Sequence, residues 1–159
     1  MKHLQFGLRA AEASLLLLLV VGHPTEATAQ GPIAVIVHPS NPMTTISPEE
    51  LRRLYLGTRT TMPNREPVIL LDNPESRDRF YHAALAMNSD RVKRHWIAAV
   101  LSGESSSPPK EIRGSTEIIQ YVASHRGAIA FLGTEAVTGP VKLIAIGGLR
   151  PNDPGYLLQ

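Results

Sequence analysis

Cysteine is absent from the 159 residues. That excludes disulfides, thiolate nucleophiles and Cys-type metal sites, and it leaves packing alone to hold the fold. Net charge is nearly absent too, at +2. So mild a surplus does not point to nucleic acid. No G-x-S-x-G elbow, phosphate-cradling glycine loop or H-E-x-x-H helix occurs, and no acid and base are paired at usable spacing. The sequence therefore predicts no enzyme and no cofactor. Beyond the leader, four histidines remain, His38, His82, His95 and His125. None stands four residues from another, so no metal site is expected. There is no internal repeat.

The chain has one long apolar run, Ser14 to Val21 (SLLLLLVV), and it lies near the start. Lys2, His3 and Arg9 precede it, and Ala27-Thr28-Ala29 follows as a small-x-small cleavage signal. This pattern predicts a secretory signal peptide over residues 1–29, too short in its apolar part to span a bilayer. A periplasmic domain over 30–159 would remain. The leader's two basic and two acidic residues cancel, leaving 14 basic against 12 acidic in that domain.

Ile33 to Val37 (IAVIV) reads as a buried strand. His38-Pro39-Ser40-Asn41-Pro42 ends it, because two close prolines forbid regular pairing. Ser47-Pro48-Glu49-Glu50 is a helix start with a capping box, Leu51, Leu54 and Tyr55 form the apolar stripe, and Gly57 stops the helix. Thr58 to Glu66 is a polar loop. Pro67 to Phe80 (PVILLDNPESRDRF) reads as a second buried strand, a turn and a helix, with Pro74 at the first helical position. In that helix Phe80, Ala83, Ala84 and Met87 face inward, while Arg77 and Asp78 face water. A further helix follows Asn88-Ser89-Asp90, with Val92, Trp96, Ala99 and Val100 inward and Arg91, Lys93, Arg94 and His95 on a solvated side. Ser102 to Pro109 is a loop. Ser115-Thr116-Glu117 opens another helix, capped at Gly127. Ala128 to Leu132 and Val141 to Ile146 are strands, and Pro151 to Gly155 makes a loose tail.

The order of strand, helix, strand, three helices and two strands predicts an α/β fold with a mixed, mostly parallel sheet flanked by helices. Ligands of such sheets sit beyond the carboxyl ends of strands, near helix N-termini. The turn from Asp72 to Ser76 and the helix start at Ser115 fit that location. Ser76 and the unpaired amides around it would accept an oxyanion, with Arg77 or Arg79 adding charge and Ser115 and Thr116 completing the candidate set. Arg79, three residues after Ser76, can share its helical face.

Four segments carry a family resemblance. Ile46 to Gly57 (ISPEELRRLYLG) resembles the "L-t-x-e-q-L-r-x-I-F-x-G" segment of the phosphate-binding proteins of ABC importers, which are type 2 periplasmic binding proteins. Pro67 to Phe80 resembles their strand and serine-led helix. Trp96, Leu101-Ser102-Gly103 and Pro109 resemble their "W…fsG…P" run, and Gly127 to Phe131 (GAIAF) their "GAIGYV" strand. The match spans Ile33 to about Ile146. The resemblance implies a single periplasmic-binding-protein-like lobe without catalytic activity. Relatives hold phosphate between two lobes, using a Ser-Gly-Thr helix start preceded by an arginine. Ser76 matches the serine, Arg77 and Asp78 stand where the glycine and threonine would be, and Asp72 stands where the arginine would be. At this length the resemblance implies one lobe of the two. Two readings follow. One is a solute-binding module for phosphate or another oxyanion, working with an ABC transporter and closed by a partner chain or a homodimer. The other is a cell-envelope interaction module that kept the fold without the ligand.

Overall fold

A computed structural model describes residues 30–62, 65–104 and 107–159. The expected leader over 1–29 lies outside the described residues. Six strands form one sheet: β1 (Ile33–Val37), β2 (Thr45–Ile46), β3 (Ile69–Asp72), β4 (Lys110–Glu111), β5 (Ala128–Gly133) and β6 (Lys142–Ile146). Their order is β2-β6-β1-β5-β3-β4. β1 is antiparallel to β5 and to β6, while β2–β6, β3–β5 and β3–β4 are parallel. Five strands thus point one way and β1 alone points the other. The sheet is mixed and mostly parallel, as the alternation of strands and helices predicts.

Four helices cover it: α1 (Pro48–Tyr55), α2 (Arg77–Phe80), α3 (Ser89–Leu101) and α4 (Ser115–Ser124). The alternation of side chains along the strands sorts the core into two layers. Ile33, Val35 and Val37 of β1, with Ile129 and Phe131 of β5, face α1, α2 and α3. Ile36, Ala128, Ala130 and Leu132 face α4, through its Ile118, Ile119 and Val122. A strand covered on both faces needs an unbroken apolar run, which is why β1 reads IAVIV.

The capping box at Ser47 forms as expected. The Ser47 hydroxyl accepts from the Glu50 amide, and the Glu50 carboxylate accepts from the Ser47 amide. That backbone bond, then Arg59, holds the Glu50 carboxyl below its ordinary range. Gly57, at φ 74°, ends α1 in a conformation that favours glycine.

Several local expectations need correcting. The helix after β3 starts at Arg77, because Pro74, Glu75 and Ser76 form a turn. After one turn it widens into a π-helical segment, Tyr81–Leu85, which closes on Ala86 at φ 52°. Val100 is exposed. α4 ends at Ser124 with His125 as its C-cap, so Gly127 is not its cap. Gly127 instead lets two backbones touch: a Cβ there would lie 2.1 Å from the Pro67 carbonyl oxygen. Ile69 N–H donates to the Gly127 carbonyl at 2.8 Å, so neither segment can retreat without losing sheet pairing. Gly127→Ala is expected to cost about 1–3 kcal/mol, the range for overpacking, read as a lower urea midpoint at unchanged slope. A wild-type midpoint would refute that contact.

The residues that follow Gly155 are anchored. Tyr156 and Leu158 are buried, the Leu158 carbonyl accepts from Ile33 N–H at 2.7 Å, and the Tyr156 hydroxyl donates to the Ile33 carbonyl at 2.8 Å. Two apolar residues after the last glycine turn are enough to fasten this segment along β1.

Candidate functional site

β3 ends at Asp72, and the chain turns at once. The Asn73 side-chain oxygen accepts from Glu75 N–H at 3.1 Å, and Ser76 N–H donates to the Asn73 carbonyl at 3.1 Å. This asparagine-led turn delays the helix and leaves Ser76 as its N-cap. Ser76 is 8% exposed, and its hydroxyl makes no capping hydrogen bond. It borders a polar recess of about 100 Å³.

Arg79 and Ser115 line the same recess. Ser115 is the first residue of α4, whose N-cap is Gly114, a residue without a side chain to cap the helix. Two hydroxyls and a guanidinium therefore converge from the β3–α2 turn, from α2 and from the start of α4. The recess lies at the carboxyl ends of the parallel strands β3 and β5, since Gly133 also borders it. Arg79 reaches it from a fixed position, donating to the Gly31 carbonyl at 2.8 Å and to the Gln30 side-chain oxygen at 3.2 Å.

The remaining two candidates stand elsewhere. Thr116 is exposed and does not line the recess. Arg77 turns away from it and, contrary to the expectation of a solvated side chain, is half-buried between two carboxylates. Its Nε donates to Asp72 Oδ2 at 2.7 Å, and its terminal nitrogen meets Glu111 at 2.5 Å. Asp72 is 7% exposed, and its Oδ1 has no hydrogen-bond partner. Burial pushes the Asp72 carboxyl above its ordinary range although Arg77 opposes the shift. Glu111, held chiefly by Arg77, is shifted down, and the bond to Asp72 raises Arg77 further.

Sequence reasoning missed two carboxylates. Glu75 and Glu135 both line the recess. Glu135 follows β5 in a 3₁₀ turn, Thr134–Ala136. Its carboxyl fills the space beside two glycines: a Cβ at Gly133 would lie 2.1 Å from Glu135 Oε1, and one at Gly31 would lie 3.2 Å from Oε2. Glu117 does the same at the start of α4, where a Cβ on Gly114 would lie 2.2 Å from its Oε2. Acidic residues are favoured near helix starts by the helix dipole, but nothing in the sequence links Glu135 to Ser76. Among the described residues no group of three or more His, Asp or Glu could hold a metal ion. None of their helices is long and apolar enough to cross a membrane.

Comparison with solved structures bears on the fold. An ABC-type phosphate transport receptor from Vibrio cholerae matches with a TM-score of 0.62 at 15% identity, over 77% of this chain and 48% of that one. PstS from Borrelia burgdorferi matches with 0.63 at 11%, over 80% and 54%. The fold is similar to one lobe of a periplasmic binding protein. A structure from Clostridium perfringens with bound phosphate, described as a phosphate ABC transporter substrate-binding protein, matches with 0.61 at 18%, over 76% and 47%. The chain spans about half the length of these structures. No family model matches the sequence, and no curated protein matches it.

Proposed function

We propose that this chain is a periplasmic solute-binding lobe that takes a small oxyanion of the phosphate class in the recess between Ser76, Arg79 and Ser115, and that it works beside an ABC importer. One observation carries the reading: Ser76, whose hydroxyl makes no capping bond, borders one recess at the carboxyl ends of β3 and β5 together with Arg79 and Ser115 from separate segments. Hydroxyls and a guanidinium are the donors a tetrahedral oxyanion needs. The similarity to phosphate-binding structures supports the reading at the level of fold. A single lobe buries little of its ligand, so weak binding is expected until a partner chain or second copy closes the site.

The second reading, an envelope interaction module without a ligand, is favoured by Glu75 and Glu135, which add two negative charges to the same recess. Calorimetric titration of the purified chain with inorganic phosphate separates the two. Saturable heat is expected, weaker in Ser76→Ala. Glu135→Gln, which removes a like charge, should tighten it several-fold. If neither the wild type nor Glu135→Gln gives heat at millimolar phosphate, the oxyanion reading is lost. A specific protein partner recovered from envelope extract would then uphold the second.

A further inference from the structure

Among the described residues the exposed large hydrophobics are Ile97, Val100 and Leu101, at 52%, 42% and 83%. All three sit on the second half of α3. With Trp96, Lys93 and Pro108 they line an apolar groove of about 370 Å³. The opposite side of α3 is already spent on the core, through Val92, Trp96 and Ala99. An apolar stripe on the solvent side is therefore not needed for folding, and such a patch marks a contact surface.

The charges along α3 say what would cover it. Arg94, Ile97 and Leu101 fall at i, i+3 and i+7, in one row along the helix. The basic residues Arg91, Lys93 and Arg94 all lie in the first half. The last turn holds no basic residue, so the negative end of the helix dipole is uncompensated, and Glu104 follows it, exposed, three residues beyond Leu101. The face is positive at one end, apolar in the middle and negative at the other. A surface of that kind complements itself when reversed. An anionic bilayer fits less well, since Asp90 and Glu104 are both exposed toward the two ends and three apolar side chains give little to insert.

We infer that α3 is the docking face for a second copy of this chain, with the two α3 helices antiparallel and crossing level with residue 99. In that register Ile97 meets the second copy's Leu101, and Arg94 meets its Glu104, twice over by the two-fold symmetry. A contact one helix wide belongs to the small, reversible class of interface. The dimer is independent of the oxyanion recess, to which α3 contributes no residue.

Sedimentation velocity over a range of concentrations tests this directly. The wild type is expected to pass from monomer to dimer as concentration rises, and Leu101→Asp to stay monomeric with an unchanged circular dichroism spectrum. Charge exchange tests the register. Arg94→Glu and Glu104→Arg each place like charges together at both symmetric contacts and should not self-associate. Mixed in equal amounts they should pair, because each contact then joins opposite charges. A wild type that stays monomeric throughout overturns the inference, even if the face then captures vesicles or another protein. A dimer that survives Leu101→Asp, or charge variants that fail to pair when mixed, overturns it equally.

Discussion

Phe131→Ala is expected to cost about 3–5 kcal/mol, the range for truncating a buried aromatic, against a total stability of roughly 5–15 kcal/mol for a domain. Phe131 sits in the middle of β5 with no exposed surface. Its ring stacks on Phe80, with centroids 3.9 Å apart and planes 5° from parallel. Tyr55 meets both edge-on, at 4.7 Å from Phe80 and 5.7 Å from Phe131. The Tyr55 hydroxyl is anchored to the Leu71 carbonyl at 3.2 Å, so it cannot swing into the space a lost ring would leave. Collapse is blocked from the strand side as well, because β5 is paired on both edges. The cavity would persist, which puts the cost toward the upper end. Phe80 also fixes α2, whose N-cap is Ser76, so phosphate heat should fall together with stability. Urea unfolding followed by circular dichroism measures the first effect. A loss below about 1 kcal/mol would mean that the core relaxes freely around the gap, and this account of the aromatic cluster would be wrong.

The elements legible in the sequence were those whose own residues decide them. β1 and β5 are apolar throughout because they are covered on both faces. α1 announces itself by Ser47, Pro48 and Glu50, whose side chains close a local loop of hydrogen bonds. The segments that escaped depend on distant partners. β2 and β4 are two residues each, Thr45–Ile46 and Lys110–Glu111, and Lys110–Glu111 has no apolar pattern at all. They are strands only because β6 and β3 offer a free edge. The π-helical widening after Phe80 has no composition of its own. The exposure of Val100 is a matter of angle: at helical spacing it lies beside the buried row of Val92, Trp96 and Ala99, and nothing packs on that side.

The candidate site was legible to a similar depth. Ser76, Arg79 and Ser115 follow from where ligands sit in α/β sheets, and the fold brings them to one recess. Arg77 was misplaced for a geometric reason. It stands two positions before Arg79, about 200° around a helix, so one side chain faces the recess and the other faces β4. Its partner Glu111 lies just past the Ser102–Pro109 loop, in a segment to which the sequence assigns no element. Asp72 is better understood as half of an ion pair with Arg77.

Arg77→Ala separates these roles. Removing the guanidinium strands a carboxylate that is 7% exposed and already has one oxygen without a partner. Breaking a buried pair from one side costs about 3–5 kcal/mol, and the low end applies because Arg77 is itself partly exposed. The sign of the pH dependence follows from Asp72. Burial holds its carboxyl above the ordinary value even with Arg77 present, and the variant would raise it further. A carboxyl with a folded-state pKa above its unfolded one weakens the fold once ionised and ceases to do so when protonated. The deficit of Arg77→Ala should therefore be full at neutral pH and shrink as pH falls through the raised Asp72 range toward ordinary carboxylate values near about 4. Weakening of the Arg77–Glu111 pair in the wild type narrows the gap in the same direction, since acid also protonates Glu111. Asp72→Asn added to Arg77→Ala should restore most of the loss at neutral pH, because an amide needs no counter-charge. Phosphate heat should survive in Arg77→Ala, which leaves the recess intact, and fall in Arg79→Ala, which does not. A deficit of equal size at acid and neutral pH, or a double variant no more stable than Arg77→Ala, would show that Arg77 serves the fold through packing and not through Asp72. Loss of phosphate heat in a folded Arg77→Ala would return Arg77 to the binding site.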